Sequence, residues 1–149
     1  MTKEMFCFQC EQTAGQVGCQ GKAGVCGKKS ATAGMQDKLT GAMIGLARAA
    51  KNAQPGASTH KAVIEGLFMT VTNVSFDDAR IGAQVERALT LKKKLLDEVG
   101  NDGSLPEAAT WFGGPETFAA KTESVGILAE ANEDIRSLKE LMMYGLKGI

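Results

Sequence analysis

Met5-Phe6-Cys7-Phe8-Gln9-Cys10-Glu11-Gln12-Thr13-Ala14-Gly15-Gln16-Val17-Gly18-Cys19-Gln20-Gly21-Lys22-Ala23-Gly24-Val25-Cys26-Gly27-Lys28-Lys29 holds all four cysteines of a 149-residue chain. No helical period of apolar residues runs through it. Glycines at 15, 18, 21, 24 and 27 recur every third residue, which stops a helix from propagating and admits turns with positive φ. The stretch therefore reads as a loop that its own apolar pattern does not hold together. The cysteine spacing, Cys7-x2-Cys10-x8-Cys19-x6-Cys26, bears on what holds it instead.

Two disulfides would suit a secreted domain, but Met1-Thr2-Lys3-Glu4-Met5 does not open the long apolar stretch of a signal peptide. A structural zinc on four thiolates fits the count, yet such sites generally pair two C-x2-C half-sites. An iron–sulfur cluster needs four thiolates wrapped around a larger object, which asks for a loop with wide, unequal gaps. The surroundings favour the cluster. Glycine-rich backbone can turn N–H groups toward cluster sulfurs, and Lys22, Lys28 and Lys29 lie close to what would be a centre of net negative charge. Phe6 and Phe8 flank the first cysteine, where they can exclude water from one side or simply pack on the rest of the chain.

Beyond Lys29 the pattern becomes helical. Ser30 is expected to cap a helix to about Lys51, with Met35, Leu39, Ala42, Met43 and Leu46 on its inner face. Pro55-Gly56 makes a turn. A second helix is expected from Ser58 or Thr59, burying Val63, Leu67, Phe68 and Val71. Ser75-Phe76-Asp77-Asp78 opens a third, with Ile81, Val85, Ala88, Leu91, Leu95 and Val99 inward and Lys92-Lys93-Lys94 on a solvated face. Gly100 to Pro106 is a connector, and Pro115 suits the first position of a short helix. Asn132, with Glu133 and Asp134 behind it, caps a last helix expected to turn Ile135, Leu138, Leu141, Met142, Leu146 and Ile149 inward. No strand-like alternation is visible. The expected architecture is all-α. A cysteine-rich loop (1–29) precedes a three-helix bundle (30–100), and a connector leads to the first helix of a second, truncated bundle (101–149).

Composition agrees with a folded domain, since 44% of the residues are apolar. The 17 basic and 17 acidic residues cancel overall. Yet residues 1–56 carry seven Lys/Arg against three acids, leaving the remainder acidic. Neutral net charge and a single tyrosine give no footprint of nucleic-acid binding, and no apolar run approaches the ~20 residues of a membrane span. A cytoplasmic protein is expected. One internal echo stands out. Residues 35–46 align with 138–149 at an offset of 103, matching Asp37 to Glu140 and Gly45 to Gly148 as well as apolar positions. If this is a duplicated module, the chain stops within its second copy, and the expectation is a fragment of a longer protein.

Met5–Thr13, Gly18-Cys19 and Gly24–Lys28 together resemble the N-terminus of hybrid cluster proteins, also called prismane proteins or hydroxylamine reductases. Gly66–Asp77, Leu105–Trp111, and Ser124–Ala129 with Asn132–Leu138 resemble the same family in the same order, so the likeness covers essentially the whole chain. It implies a helical N-terminal part of two three-helix bundles, with Cys7, Cys10, Cys19 and Cys26 ligating a conventional cubane. The final x6 gap is one longer than the x5 of cubane-binding members. A second group, with a wider middle gap, binds [2Fe–2S], and the x8 gap here keeps the expectation at [4Fe–4S].

The resemblance further implies a one-electron relay, fed by a redox donor protein and passing electrons to the remaining domains of the full-length protein. Those domains would hold the hybrid iron–sulfur–oxygen cluster that reduces hydroxylamine or nitric oxide. Its His, Glu and Cys ligands come from later domains. No cysteine follows Cys26 here, and the lone His60 is expected at the surface, so no catalytic residue is assigned to this stretch. The alternative from another class is a structural zinc module on a helical interaction domain, without a redox role.

Overall fold

A computed structural model of the protein describes residues 4–10, 12–51, 53–71, 74–100 and 126–148. The expected connector from Asn101 and the short helix at Pro115 lie outside the described residues, as does Ile149.

Three helices form the main core: α1 (Ser30–Ala50), α2 (Ala57–Met69) and α3 (Asp78–Val99). The period expected for α1 is realised, and Leu39, Ala42, Met43, Leu46 and Ala49 are buried against Ala62 of α2 and Ile81, Val85 and Ala88 of α3. Its start differs. Lys29, not Ser30, occupies the cap position, in extended backbone and with no side-chain cap. The incoming loop does the work instead, because the Ser30 N–H donates to the Lys22 carbonyl at 3.0 Å.

The α2 inner face is also rotated from the expected one. Thr59, Ala62 and Gly66 are buried, Val63 and Leu67 pack at the margin of the core, and Phe68 is 58% exposed. Val71 lies beyond the helix end. The cause is close approach to α1. A Cβ on Gly66 would stand 2.5 Å from Met43 Sδ, so the small residues of α2 face the bulk of α1 and the larger Phe68 is turned away.

α3 starts as expected, with Asp77 Oδ1 accepting the N–H groups of Ala79 and Arg80 at 3.0 and 3.1 Å. Val99 is exposed rather than inward, and Leu96 is buried in addition to Leu95. Lys92 corrects the expected solvated run. It lies four residues from Ala88 and three from Leu95, on the inner face, and is 1% exposed, whereas Lys93 and Lys94 are exposed. Gln84 Nε2 donates to the Ala62 carbonyl at 2.9 Å, and Arg87 pairs with Glu65, so polar bonds tie α3 to α2 beside the apolar contact.

α4 (Glu133–Lys147) has the expected cap: Asn132 Oδ1 accepts from Asp134 and Ile135 N–H at 2.9 and 3.0 Å. Its facing is opposite to expectation. Leu138, Leu141 and Met142 are 59–64% exposed, Ile135 and Leu146 are exposed too, and the buried positions are Arg136 and Glu140. The polar stripe 136–140–147 is turned toward the cysteine loop, which offers it backbone donors and side-chain acceptors (below). The loop itself contains a two-residue antiparallel pair that the sequence pattern did not reveal, β1 (Phe6–Cys7) with β2 (Cys19–Gln20). Among the described residues no helix is long and apolar enough to cross a membrane.

Candidate metal centre

The cysteine loop is shaped by short backbone contacts and backed by apolar packing. Pairing of β1 with β2 sets Cys7 directly opposite Cys19. Met5 and Cys19 then pack with Ala33 of α1 in a small core of their own, with Cys7 at its edge. Gly18 permits the approach of the two strands: its φ is +84°, and a Cβ there would sit 2.7 Å from Cε2 of the buried Phe6 ring. A tight turn follows, with Gly27 N–H donating to the Gly24 carbonyl at 2.9 Å and Gly24 N–H to that of Lys28 at 2.8 Å. It carries Cys26 back toward Cys19. A Cβ on Gly24 would meet Cys26 Sγ at 3.6 Å and Cys19 Sγ at 3.7 Å, which puts both sulfurs against one bare backbone position.

All four cysteines are free thiols and line one cavity, together with Met5, Gln12, Thr13, Gly24 and Lys28. Among the described residues no three His, Cys, Asp or Glu side chains group as a site for a single metal ion. The donor set, four sulfurs spread around a shared cavity with bare glycine backbone between two of them, fits a polynuclear iron–sulfur centre. His60 is exposed on α2, as expected, and takes no part.

Of the three lysines near the cysteines in sequence, only Lys28 is drawn in. It is 3% exposed, with Nζ 3.8 Å from Cys7 Sγ, while Lys22 and Lys29 are exposed. Phe6 is buried and Phe8 half-buried. The other face of the Phe6 environment is supplied by Arg136, whose guanidinium carbon lies 5.0 Å from the Phe6 ring centroid. Arg136 Nη2 donates to Glu133 Oε1 at 3.2 Å, and its Nε is buried without a partner among the described residues.

A second cavity of about 500 Å³ adjoins the first, lined by Cys7, Lys28, Asp37, Thr70, Glu140 and Lys147 among others. Asp37 and Glu140 are the acids that the internal echo matched, and the fold brings both to this cavity. Glu140 Oε2 accepts the Phe8 N–H at 3.2 Å, Asp37 Oδ2 accepts the Ile127 N–H at 3.2 Å, and Lys147 Nζ donates to Gln9 Oε1 at 2.7 Å and the Thr70 carbonyl at 3.3 Å. Burial, with Glu140 adding repulsion, pushes the Asp37 carboxyl up to about 7. Burial pulls Lys147 down to about 8, Glu140 opposing and Lys28 reinforcing that shift. Burial also raises the Cys7 thiol, against the pull of Lys28 and with the repulsion of Glu140. Sequence reasoning had no role for Asp37, Glu140 or Lys147. The only sequence signal for the two acids was their match in two aligned helices, and Lys147 had none.

The family profile of Prismane/CO dehydrogenase matches residues 5–149. The chain belongs to that family. Its members are metalloproteins with iron–sulfur clusters. The chain is 45% identical over 159 aligned positions to the hydroxylamine reductase of Nitratidesulfovibrio vulgaris, covering 97% of this chain and 29% of that relative. It is 44% identical to the hydroxylamine reductase of Porphyromonas gingivalis over all of this chain and 28% of that relative. With the hydroxylamine reductase of Desulfitobacterium hafniense it shares 46% identity, over 97% and 28% respectively. The chain thus spans under a third of the length of these curated relatives.

Proposed function

We propose that the chain is the cluster-binding, electron-relaying part of a hydroxylamine-reducing enzyme, with Cys7, Cys10, Cys19 and Cys26 holding a [4Fe–4S] cluster. The observation that carries this is the convergence of all four thiols on one cavity, in a member of the Prismane/CO dehydrogenase family. When bound, such a centre takes up and releases single electrons. The chain's own residues supply the rest. Met5, Phe6 and Ala33 keep water from the inner side, and the Gly24–Gly27 turn holds Cys26 beside Cys19. Lys28 places a buried cation on the Cys7 sulfur.

In the complete enzyme a redox donor protein would deliver electrons to this part, and the remaining domains would reduce hydroxylamine or nitric oxide at a hybrid iron–sulfur–oxygen centre. Residues 1–29 would serve as the cluster loop, 30–100 as the three-helix bundle that supports it, and 101–149 as a connector and the first helix of a second bundle. The reducing cytoplasm suits a site of four free thiols.

Anaerobic metal and sulfide analysis tests the reading. About four iron and four acid-labile sulfides per chain, with a brown, reducible absorbance, are expected. About two of each would replace [4Fe–4S] by [2Fe–2S]. A single zinc without sulfide would refute the redox role.

A further inference from the structure

Two buried charges of opposite sign reach the same cysteine from distant parts of the sequence. Lys28 Nζ lies 3.8 Å from Cys7 Sγ. Glu140, on α4, is pinned by the N–H of Phe8, the residue after Cys7, and lines the same cavity as Cys7 and Lys28. Both side chains are at least nine-tenths buried, so neither charge is averaged out by water as those of Lys22 and Lys29 are. Resting on the cluster reading above, we propose that Lys28 and Glu140 are an opposed pair of fixed charges that sets the reduction potential of the cluster through its Cys7 corner.

The physical reason is the extra negative charge that the cluster gains on reduction. A nearby cation favours the reduced state and raises the potential; a nearby carboxylate disfavours it and lowers the potential. Asp37 and Lys147 line the same cavity but are held by groups other than the Cys7 sulfur. Asp37 bonds to Ile127, and Lys147 to Gln9 and Thr70. Glu140 is therefore the acid with a direct hold on the cysteine strand, and through it the seating of α4 becomes part of the cluster's electrostatics.

The test is a redox titration of the cluster-loaded chain, followed by the electron paramagnetic resonance of the reduced centre at one pH and ionic strength. Lys28→Met is expected to lower the midpoint potential and Glu140→Gln to raise it. Lys28→Arg should stay near the parent value, as should Lys22→Met, which removes an exposed cation of the same loop. A purely structural role would loosen the loop and alter cluster retention without imposing opposite signs on the two variants. Unchanged potentials in both variants, or shifts of the same sign, overturn the proposal while leaving the cluster reading intact. If Lys28→Met fails to hold a cluster, Glu140→Gln carries the decision alone, and no upward shift overturns it. A parent chain that binds zinc and no sulfide overturns both the reading and the inference.

Discussion

Replacing Asp37 by Asn should stabilise the protein above neutral pH, although it removes a hydrogen-bonded buried acid. The carboxyl titrates at about 7 in the folded chain against 3.8 unperturbed, because burial and the neighbouring Glu140 disfavour its charge. The folded state therefore holds a proton that the unfolded chain has already lost, and stability falls as pH rises from about 4 to about 7. A shift of roughly 3 units corresponds to about 4 kcal/mol lost by pH 8. Lys147 works in the opposite sense and at higher pH. Its folded value of about 8 lies below 10.5, so its contribution is a gain in stability as pH rises from about 8 to above 10. Between pH 5.5 and 8 the Asp37 limb stands alone, because the lowered pKa values of Glu65 and Glu130 place their loss of stability at more acid pH.

Asn cannot ionise, and its amide oxygen can still accept the Ile127 N–H. The variant should flatten this limb, exceeding the parent by about 2 kcal/mol at pH 5.5 and by about 4 kcal/mol at pH 8. Urea unfolding of both chains across that range, under anaerobic conditions and with the cluster loaded, measures the difference. A parent whose stability is flat or rises from pH 5.5 to 8 would refute the assignment of a buried, protonated Asp37. A variant less stable than the parent at pH 8 would do the same.

Five further substitutions have expected outcomes. Leu46→Ala removes a fully buried side chain at the centre of the α1–α3 core and should cost about 2–5 kcal/mol in denaturant unfolding, with Asn132→Ala, a lost cap, near 1 kcal/mol. Gly66→Ala forces Met43 to move from a Cβ that would stand 2.5 Å from its sulfur, and a loss of about 1–3 kcal/mol should appear in thermal unfolding; no loss would mean α1 and α2 pack less closely than described. Cys19→Ser, at the most buried of the four thiols, should abolish cluster incorporation in iron and sulfide analysis, whereas His60→Ala should leave both metal content and stability unchanged.

Much of this protein is written locally. Glycine every third residue prevents an α-helix before Lys29. The apolar period from Met35 to Leu46 builds α1. The Asp77 and Asn132 side chains close α3 and α4 at their starts through their own following N–H groups. Such signals involve residues two to four apart, so the chain carries them without help from distant parts. The four cysteines belong with them, because their types and gaps limit the chemistry before any fold is known. Facing and charge were a different matter. Phe68 points outward because Met43 fills the space against Gly66, which is a property of two helices and not of one.

The amphipathicity of α4 was legible, yet its burial was not. The cysteine loop presents the Phe8 N–H and the Gln9 amide to Glu140 and Lys147, so the polar stripe lies inward and Leu138 and Leu141 outward. Likewise three lysines looked equivalent near the cysteines, and only the turn from Gly24 to Lys28 selects one for the Cys7 sulfur. By itself the sequence determined a glycine-rich thiol loop on a helical scaffold. Only the tertiary structure decided which charges surround that loop, because electrostatic neighbours are set by distance in space, and Cys7 and Glu140 are 133 residues apart along the chain.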